Sequence, residues 1–435
     1  GEADLEGVVE MARVAKLPVQ LASRTSPGTA ISSMQLDRAI QDGILVPWRK
    51  GEPEHFKRPW TLFLADKGGL TYTPPVGVFE KVAEIDFASM YPAIMVAHNV
   101  SPETILCPCC ALDGPRVPEI GYHICQRRRG LVPRTLEPLL ARRLRWKALK
   151  KSAATPQERV RYDRRQTALK WMLVTCFGYL GYRNARFGKI EAHEAVTAYG
   201  RETLLAAKEV AEARGYRMLH ALTDSMWLDG GDVSSEALGG LAEEISQATG
   251  IGMAVEGTYR WIVFPPSRQH EGVGVPNRYF GAFTDGTLKA RGIMARRRDT
   301  PAFIKEAQRA MIDVLIPARN LGEFRALLPK AQAEAGRWRE ELMGGNVPLH
   351  KLVLSRQLTQ EIDHYRVENW TSLAARQLQS AGEAPQVGER FGVVVRDRRD
   401  KLKEARVRPA ALLQPEDGYD AELYGEILER AVEEI

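Results

Sequence analysis

The sequence predicts a mixed α/β protein whose sheet is interrupted by a helical hairpin and followed by a mostly helical tail. Three observations carry this. An apolar strand at 82–87 runs directly into a helix start at Ser89-Met90-Tyr91-Pro92. Two long basic stretches with helical periodicity follow, at 133–152 and 156–177. From Pro301 onward the pattern becomes helical and amphipathic.

Taken in order, residues 3–16 place Leu5, Val8, Val9, Ala12, Val14 and Ala15 at helical spacing. Residues 49–77 are rich in Gly, Pro and charge, and read as loop with short strands. The helix after strand 82–87 runs to about Ala97, with Pro92 in its first turn. Thr155-Pro156-Gln157-Glu158 is a helix start: Thr155 caps, Pro156 takes the first position and Glu158 closes a capping box. The short link before it makes the two basic helices an antiparallel pair. A further helix spans 190–213. Short strands at 218–222 and 225–228 flank a bend at Thr223-Asp224. More strands follow Gly250 to about Arg298. An amphipathic helical stretch then runs through Ala335, and a last helix lies near 421–435.

A chain of 435 residues holds two or three domains and a large core. Its 44% hydrophobic and 27% charged residues are an ordinary globular balance. No run of about 18 apolar residues occurs, so no membrane span is expected. The opening Gly1-Glu2-Ala3-Asp4 is acidic, lacks the regions of a signal peptide and lacks an initiator Met, which reads as a processed chain or a fragment. The formal charge of +6 suits a polyanionic partner. Basic clusters stand at Arg127-Arg128-Arg129, across 142–151 and at Arg296-Arg297-Arg298, whereas the C-terminal end is acidic. Of five cysteines, Cys107, Cys109, Cys110 and Cys125 fall close together, too few for a secreted disulfide scaffold, so the cytoplasm is the expected compartment.

Four constellations carry chemistry. The first is Asp86-Phe87-Ala88-Ser89-Met90-Tyr91-Pro92-Ala93-Ile94. An Asp between strand and helix is most often an N-cap, but here the whole string is distinctive. The second is Leu222-Thr223-Asp224-Ser225, which alone reads as a polar hairpin turn. The third runs from Arg165 through Lys170 to Gly178-Tyr179, with Gln166, Lys170 and Val174 on one helical face. Arg143 and Lys147 are spaced likewise on the preceding helix. The fourth is Asn277-Arg278-Tyr279 with Arg291-Gly292 and Arg297-Arg298-Asp299, which alone reads as a solvated basic face.

The first, third, second and fourth strings, in that chain order and spacing, resemble motifs A, B and C and the duplex-holding segments of the family B DNA polymerases. The resemblance covers about residues 8 to 300. It implies a right-hand polymerase architecture: a pre-palm segment (1–80), palm (81–130 and 189–300), a fingers hairpin (131–188) and a thumb (301–435). It also implies that Asp86 and Asp224, with the backbone of Phe87, bind two Mg²⁺ ions, Mn²⁺ being a substitute. Two bridging carboxylates suffice for ions about 3.5–4 Å apart, because phosphates and waters supply other ligands. Arg143, Lys147 and Lys170 then clamp the dNTP triphosphate, Lys170 being placed to protonate pyrophosphate. Ser89 and Phe87 line the nucleotide site, and the Tyr91 ring excludes a 2′-hydroxyl. Gly68-Gly69 resembles a template-binding turn, though Asp66 stands at the usual aromatic. Arg24-Thr25-Ser26-Pro27-Gly28 resembles the segment before the palm. The resemblance also implies that Arg278, Tyr279, Arg291, Arg297 and Arg298 hold primer–template DNA through its backbone.

Departures are also visible. Leu222 replaces the first Asp of motif C, and His220-Ala221 its Tyr-Gly. Val174, Thr175 and Phe177 replace the Asn, Ser and Tyr of motif B, while Pro276 and Asn277 replace two Lys. Cys110 and Cys125 fall near positions that pair as a disulfide in some archaeal relatives. With Cys107 and Cys109 they read as free thiols, a disulfide or a zinc site; C-x-C-C-x14-C is not a standard zinc spacing. Cys176 reads as a packing residue. The expected function is a DNA polymerase without a 3′–5′ exonuclease, extrapolated to repair or lesion bypass, with a sliding clamp or separate exonuclease as further partners and a nucleoid-associated location. The alternatives are an inactive polymerase-like DNA-binding protein and the polymerase subunit of a split enzyme.

Overall fold

The computed structural model describes residues 4–48 and 53–435. Residues 1–3 of the acidic opening and 49–52 of the predicted loop lie outside the described residues. The chain divides into two units, one formed by residues up to Tyr72 with Ala83–Glu256, the other by Thr73–Val82 with Gly257–Ile435.

The first unit begins with α1 (Leu5–Ala15), capped by the Asp4 carboxylate, and α2 (Val19–Ala22). Next come α3 (Pro27–Gln41), which starts at a Ser26 cap, and α4 (Pro59–Ala65). Neither α3 nor α4 is expected from the sequence. Both begin with Pro at the first position, where no N–H is needed, and in 49–77 the Gly, Pro and charge content hid α4. Of the short strands expected there, β1 (Thr71–Tyr72) is two residues long.

The strand β2 (Gly77–Phe87) is longer than predicted and passes from the second unit into the first. It feeds α5 (Met90–Ala97) through Ser89 at φ 58°. The basic hairpin is α6 (Leu131–Lys151) and α7 (Pro156–Leu180). Thr155 accepts from the Glu158 N–H as a cap does, but Glu158 returns its carboxylate to the Ala154 N–H instead of closing the box on Thr155. After α8 (Ile190–Ala213), β3 (Tyr216–Leu222) and β4 (Ser225–Gly230) pair antiparallel across the Thr223-Asp224 bend. The next helix, α9 (Ser235–Thr249), was not anticipated; Ser234 caps its start and Gly250 at φ +70° ends it. β5 (Met253–Phe264) then leads out of the unit.

Within the first unit the strand order is β1-β3-β4-β2, all antiparallel. Ala83, Ile85 and Phe87 of β2 and Ala221, Met226 and Leu228 of β3 and β4 bury against Ile94, Leu139, Leu169, Met172 and Val196 of the helices. This core fixes β2 and β4 in register, with Asp86 opposite Ser225.

The second unit joins β5 to β6 (Tyr279–Phe283) and β7 (Leu288–Arg291). The helical tail follows as α10 (Ala302–Leu315) and α11 (Leu321–Met343). It also contains a small sheet that the sequence pattern did not show. β8 (Leu354–Gln357), β9 (Arg390–Val395) and β10 (Val407–Pro409) form it, with α12 (Trp370–Ser380) between β8 and β9 and α13 (Ala421–Val432) last. β8 and β9 are separated by α12, and β9 and β10 by a loop without a tight two-residue turn, so no hairpin signal announces it. Val393 and Val395 bury with Leu354, Val407 and Tyr424. Among the described residues no helix is long and apolar enough to cross a membrane.

Candidate active site

Antiparallel pairing carries Asp86 to the end of β2 beside the β3–β4 bend. The Ser225 hydroxyl donates to Asp86 Oδ1 at 2.8 Å, and the Phe87 N–H donates to the Asp224 carbonyl at 2.8 Å. Neighbouring strands lie about 4.8 Å apart, so the two carboxylate-bearing residues face one space. Asp86, Phe87, Ser89, Tyr91, Arg143, Lys147, Lys170 and Asp224 all line a cavity of about 330 Å³. Backbone strain borders both carboxylates. Ser89 and the β-branched Thr223 sit at φ 58° and 59°, a region costing on the order of 1–3 kcal/mol per residue. The Thr223 N–H donates to the Leu70 carbonyl at 3.0 Å, which helps hold the bend.

Charges here are only partly matched. Burial pushes the Asp224 carboxyl above its usual range, and the Lys170 charge pulls it back down. Arg143 is 9% exposed, and its Nη1 donates to the Ser89 hydroxyl, but its Nε has no hydrogen-bond partner. Burial lowers the Arg143 pKa against the pull of Asp86. Burial and the adjacent Arg143 charge lower that of Lys147, again against Asp86. The cavity therefore sets basic side chains and carboxylates around one space.

The helix carrying Arg143 and Lys147 is held from outside the cavity. Glu10 of α1 is buried and accepts from Arg142 and from Trp146 Nε1 at 2.7 Å. Arg165 of α7 pairs with Glu6 at 2.7 Å and lies over the Trp146 ring. The first helix thus ties both arms of the hairpin together. On α7, Lys170 and Val174 face the cavity, as the helical spacing predicted. Gln166, expected on that face, instead bonds Asp163 and Thr167. Cys176 is buried as a packing residue, its thiol on the Leu173 carbonyl.

Tyr91 is wedged. Its ring lies 4.4 Å from that of Phe177, which stacks on His193 at 4.0 Å. A Cβ at Gly200 of α8 would come within 2.9 Å of the Tyr91 ring, and one at Gly69 within 2.8 Å of its hydroxyl. The sequence reading missed Gly200, because a glycine in a helix gives no local sign of what it packs against. It also missed Arg201. The Arg201 guanidinium donates to the Gly68 carbonyl at 2.6 Å and to Glu119 at 2.7 Å, so it anchors the Gly68-Gly69 turn beside Tyr91 and Thr223.

The profile of DNA polymerase family B matches residues 18–237 and 275–435. The chain belongs to DNA polymerase family B. It is 30% identical over 322 residues to DNA polymerase 2 of Saccharolobus solfataricus, covering 74% of this chain and 47% of that protein. It is 27% identical over 410 residues to the DNA polymerase of Archaeoglobus fulgidus, covering 94% of this chain and 49% of that protein. Among solved structures it is similar to the family B DNA polymerase of Pyrobaculum calidifontis, a protein of right-hand architecture. There the TM-score is 0.70 at 26% identity, over 99% of this chain and 53% of that one. The mixed helix-and-sheet fold expected from the sequence is therefore that of a family B polymerase. The chain spans about half the length of the curated relatives it matches.

Against the family B pattern, the departures have visible consequences. Leu222 contributes no carboxylate and pairs through its backbone with Ser225 and Thr71. Val174 presents an apolar side chain, 57% exposed, to the cavity where the family has Asn. His220 is buried, stacked on Trp227 and bonded to the Tyr72 carbonyl.

The second unit holds the residues assigned to the DNA backbone. Arg291, Arg297 and Arg298 are exposed. Arg278 is half-buried and faces Glu434 at 3.9 Å. Tyr279 departs from its expected role as a DNA contact. It is 3% exposed, with its ring against Phe264, so on β6 it is a core residue. β6 lies between β5 and β7 and is buried along Tyr279–Ala282 on both faces, which a reading of the motif alone does not reveal. Gly292 at φ +64° is required by close approach, since a Cβ there would lie 2.1 Å from the Asn277 carbonyl oxygen.

Proposed function

We propose that this chain is a template-directed DNA polymerase, transferring a nucleotide from a dNTP to a primer 3′-hydroxyl. The observation that carries the reading is the single cavity joining Asp86 and Asp224 to Arg143, Lys147 and Lys170. The donor set fits divalent cations. Two carboxylates stand on adjacent strand ends, and burial disfavours the charged form of Asp224 unless a cation offsets it. Asp86, Asp224 and the Phe87 backbone would hold two Mg²⁺ ions. When bound, such a pair activates the attacking hydroxyl and neutralises charge on the leaving pyrophosphate.

The protein's own groups do the rest. Arg143 and Lys147, one helical turn apart on α6, bind the triphosphate, and the unpartnered Nε of Arg143 is a donor already desolvated for it. Lys170 of α7 lines the same cavity and would give its proton to the departing phosphate oxygen. Tyr91, clamped by Phe177 and Gly200, presents a fixed ring edge to the sugar and rejects a 2′-hydroxyl by sterics. In this reading α6 and α7 are the fingers, the β1-β3-β4-β2 strands belong to the palm, and 301–435 is the thumb. Arg291, Arg297 and Arg298 grip the duplex backbone, so affinity for DNA falls steeply with salt.

The test is primer extension with Mg²⁺ and dNTPs, comparing wild type with Asp224→Ala. Extension by the wild type alone supports the reading. Absence of extension at every metal and protein concentration overturns it, in favour of a DNA-binding protein without activity. The specific observation favouring that second reading is Leu222, which removes one carboxylate usual in motif C.

A further inference from the structure

Between α5 and α6 the chain makes a loop that the polymerase reading leaves without a role. It is closed by isolated bridges, Ile105 to Ile124 and Arg116 to His123. Gly114 is pressed into it so closely that a Cβ would meet the Ile124 and Cys110 carbonyls at 2.7 and 2.8 Å. The centre of the loop holds four thiols: Cys107, Cys110 and Cys125 are buried and Cys109 is half-buried. They form their own small cluster, separate from the large apolar core of the unit.

We propose that Cys107, Cys109, Cys110 and Cys125 bind one zinc ion in a tetrahedral, all-thiolate structural site. The geometry carries this. Zinc–thiolate bonds of about 2.3 Å in a tetrahedron set the sulfurs about 3.8 Å apart. Cys109 Sγ lies 3.6 Å from Cys107 Sγ, 3.8 Å from Cys110 Sγ and 3.6 Å from Cys125 Sγ. The Cys110 and Cys125 sulfurs are 4.0 Å apart, and all four lie within 4.8 Å of one another. That spacing suits a single ion and leaves no room for a multi-iron cluster. It is also too wide for a disulfide, which needs about 2.0 Å, and four mutually close sulfurs are not a pair. A four-sulfur tetrahedral set selects zinc over the oxygen-seeking Mg²⁺.

The surroundings suit thiolates. The backbone around Arg127 and Arg128 favours the thiolate of Cys125, and that of Cys110 favours the thiolate of Cys107. Such second-layer support orients and stabilises sulfur ligands. Zinc entering four thiols displaces four protons and leaves a site of net charge −2, beside which stand the basic side chains of Arg127, Arg128 and Arg129. Ile105, Val117 and Ile124 root the loop in the apolar core of the unit, and the bound ion would staple its thiol-bearing centre. Glu119 of the same loop pairs with Arg201, which holds Gly68, so the staple would steady the turn next to Tyr91.

The experiment uses the full chain, expressed with zinc and iron both supplied and purified under reducing conditions. Elemental analysis should find one zinc per chain, and X-ray absorption at the zinc edge should show four sulfurs at about 2.3 Å. Because Cys125→Ser would replace a buried ligand and is at risk of not folding, the decisive variant is Cys109→Ser at the half-exposed position. It should lower zinc affinity at least about 10-fold while leaving the circular dichroism of the metal-loaded protein unchanged. Iron in place of zinc, no metal after reconstitution with zinc salt, nitrogen or oxygen ligands at the edge, or unchanged affinity in Cys109→Ser each overturns the proposal. None of these readouts depends on nucleotide transfer, so the outcome is separate from the fate of the polymerase reading.

Discussion

Around Arg398 in the second unit, acidic neighbours surround the guanidinium: Glu426 at 2.7 Å, Glu422 at 3.5 Å and Asp420 at 3.8 Å, with Arg399 also on Glu422 at 3.1 Å. Glu368 is likewise held by Arg376 at 2.8 Å and Lys403 at 2.6 Å. Around Arg143 in the first unit, a guanidinium nitrogen is buried without a partner, and an adjacent ammonium is repelled. A carboxyl nearby is pushed toward its neutral form, and two residues sit at positive φ. The first arrangement is complete as it stands. The second is unfavourable on its own, and under the proposed function bound cations and phosphates would complete it. Local strain and unmatched charge of this kind recur where a site gives up stability for function.

The sharpest way to break the contrast is Asp224. Asp224→Ala should lower primer extension at least about 1,000-fold, and retention of activity would remove the site from the bend. The same residue gives a pH test. Burial raises its folded pKa above the unfolded value of about 3.9, so the folded state keeps the proton to higher pH than the unfolded chain does. The resulting penalty is absent below the unfolded pKa and grows as pH rises through the folded one. Metal-free Asp224→Asn should therefore melt above metal-free wild type at neutral pH. The gap should close toward acid, and thermal melts in chelator at several pH values measure it.

Glu10 is the opposite case, a buried charge whose partners are present. Glu10→Ala strands Arg142 and Trp146 and should cost about 3 kcal/mol in denaturant unfolding. Arg142 keeps some access to water, which places the effect at the low end for a buried pair. A smaller effect belongs to Arg143. Arg143→Ala should reduce kcat/KM for dNTP about 10- to 100-fold, with little loss of stability because the native state does not fully satisfy that side chain. Smallest is Glu426→Ala, which removes one of several exposed partners of Arg398. It should leave both melting temperature and primer extension unchanged within error. A large effect there would erase the distinction between the two regions.

Much of the site was legible because its signals are local. Asp86 and Asp224 each stand at a strand end marked by an apolar run and a bend. The Thr155 cap and Pro156 mark the start of α7, and spacing alone puts Arg143 and Lys147 on one face of α6. The misses share a cause. Gly200, Arg201 and the β8–β9 pairing depend on partners far along the chain. Their sequences look ordinary, whereas their neighbours do not adjoin them in sequence. Tyr279 shows the converse error, a residue in a recognisable motif whose burial is set by the strand it occupies.

Two aspartates, three basic side chains and a tyrosine were determined by the sequence itself, as were the helices and strands that carry them. Caps, periodicity and turn chemistry act within a few residues, and that is the range over which a sequence speaks directly. The cavity was decided by tertiary structure. Register between β2 and β4 sets Asp86 beside Asp224, and packing of α6 and α7 on that sheet turns the cations toward them. Closure of the loop brings four cysteines within reach of a single ion. Each of these depends on pairings between distant residues, whose free energy is realised only when the whole core forms.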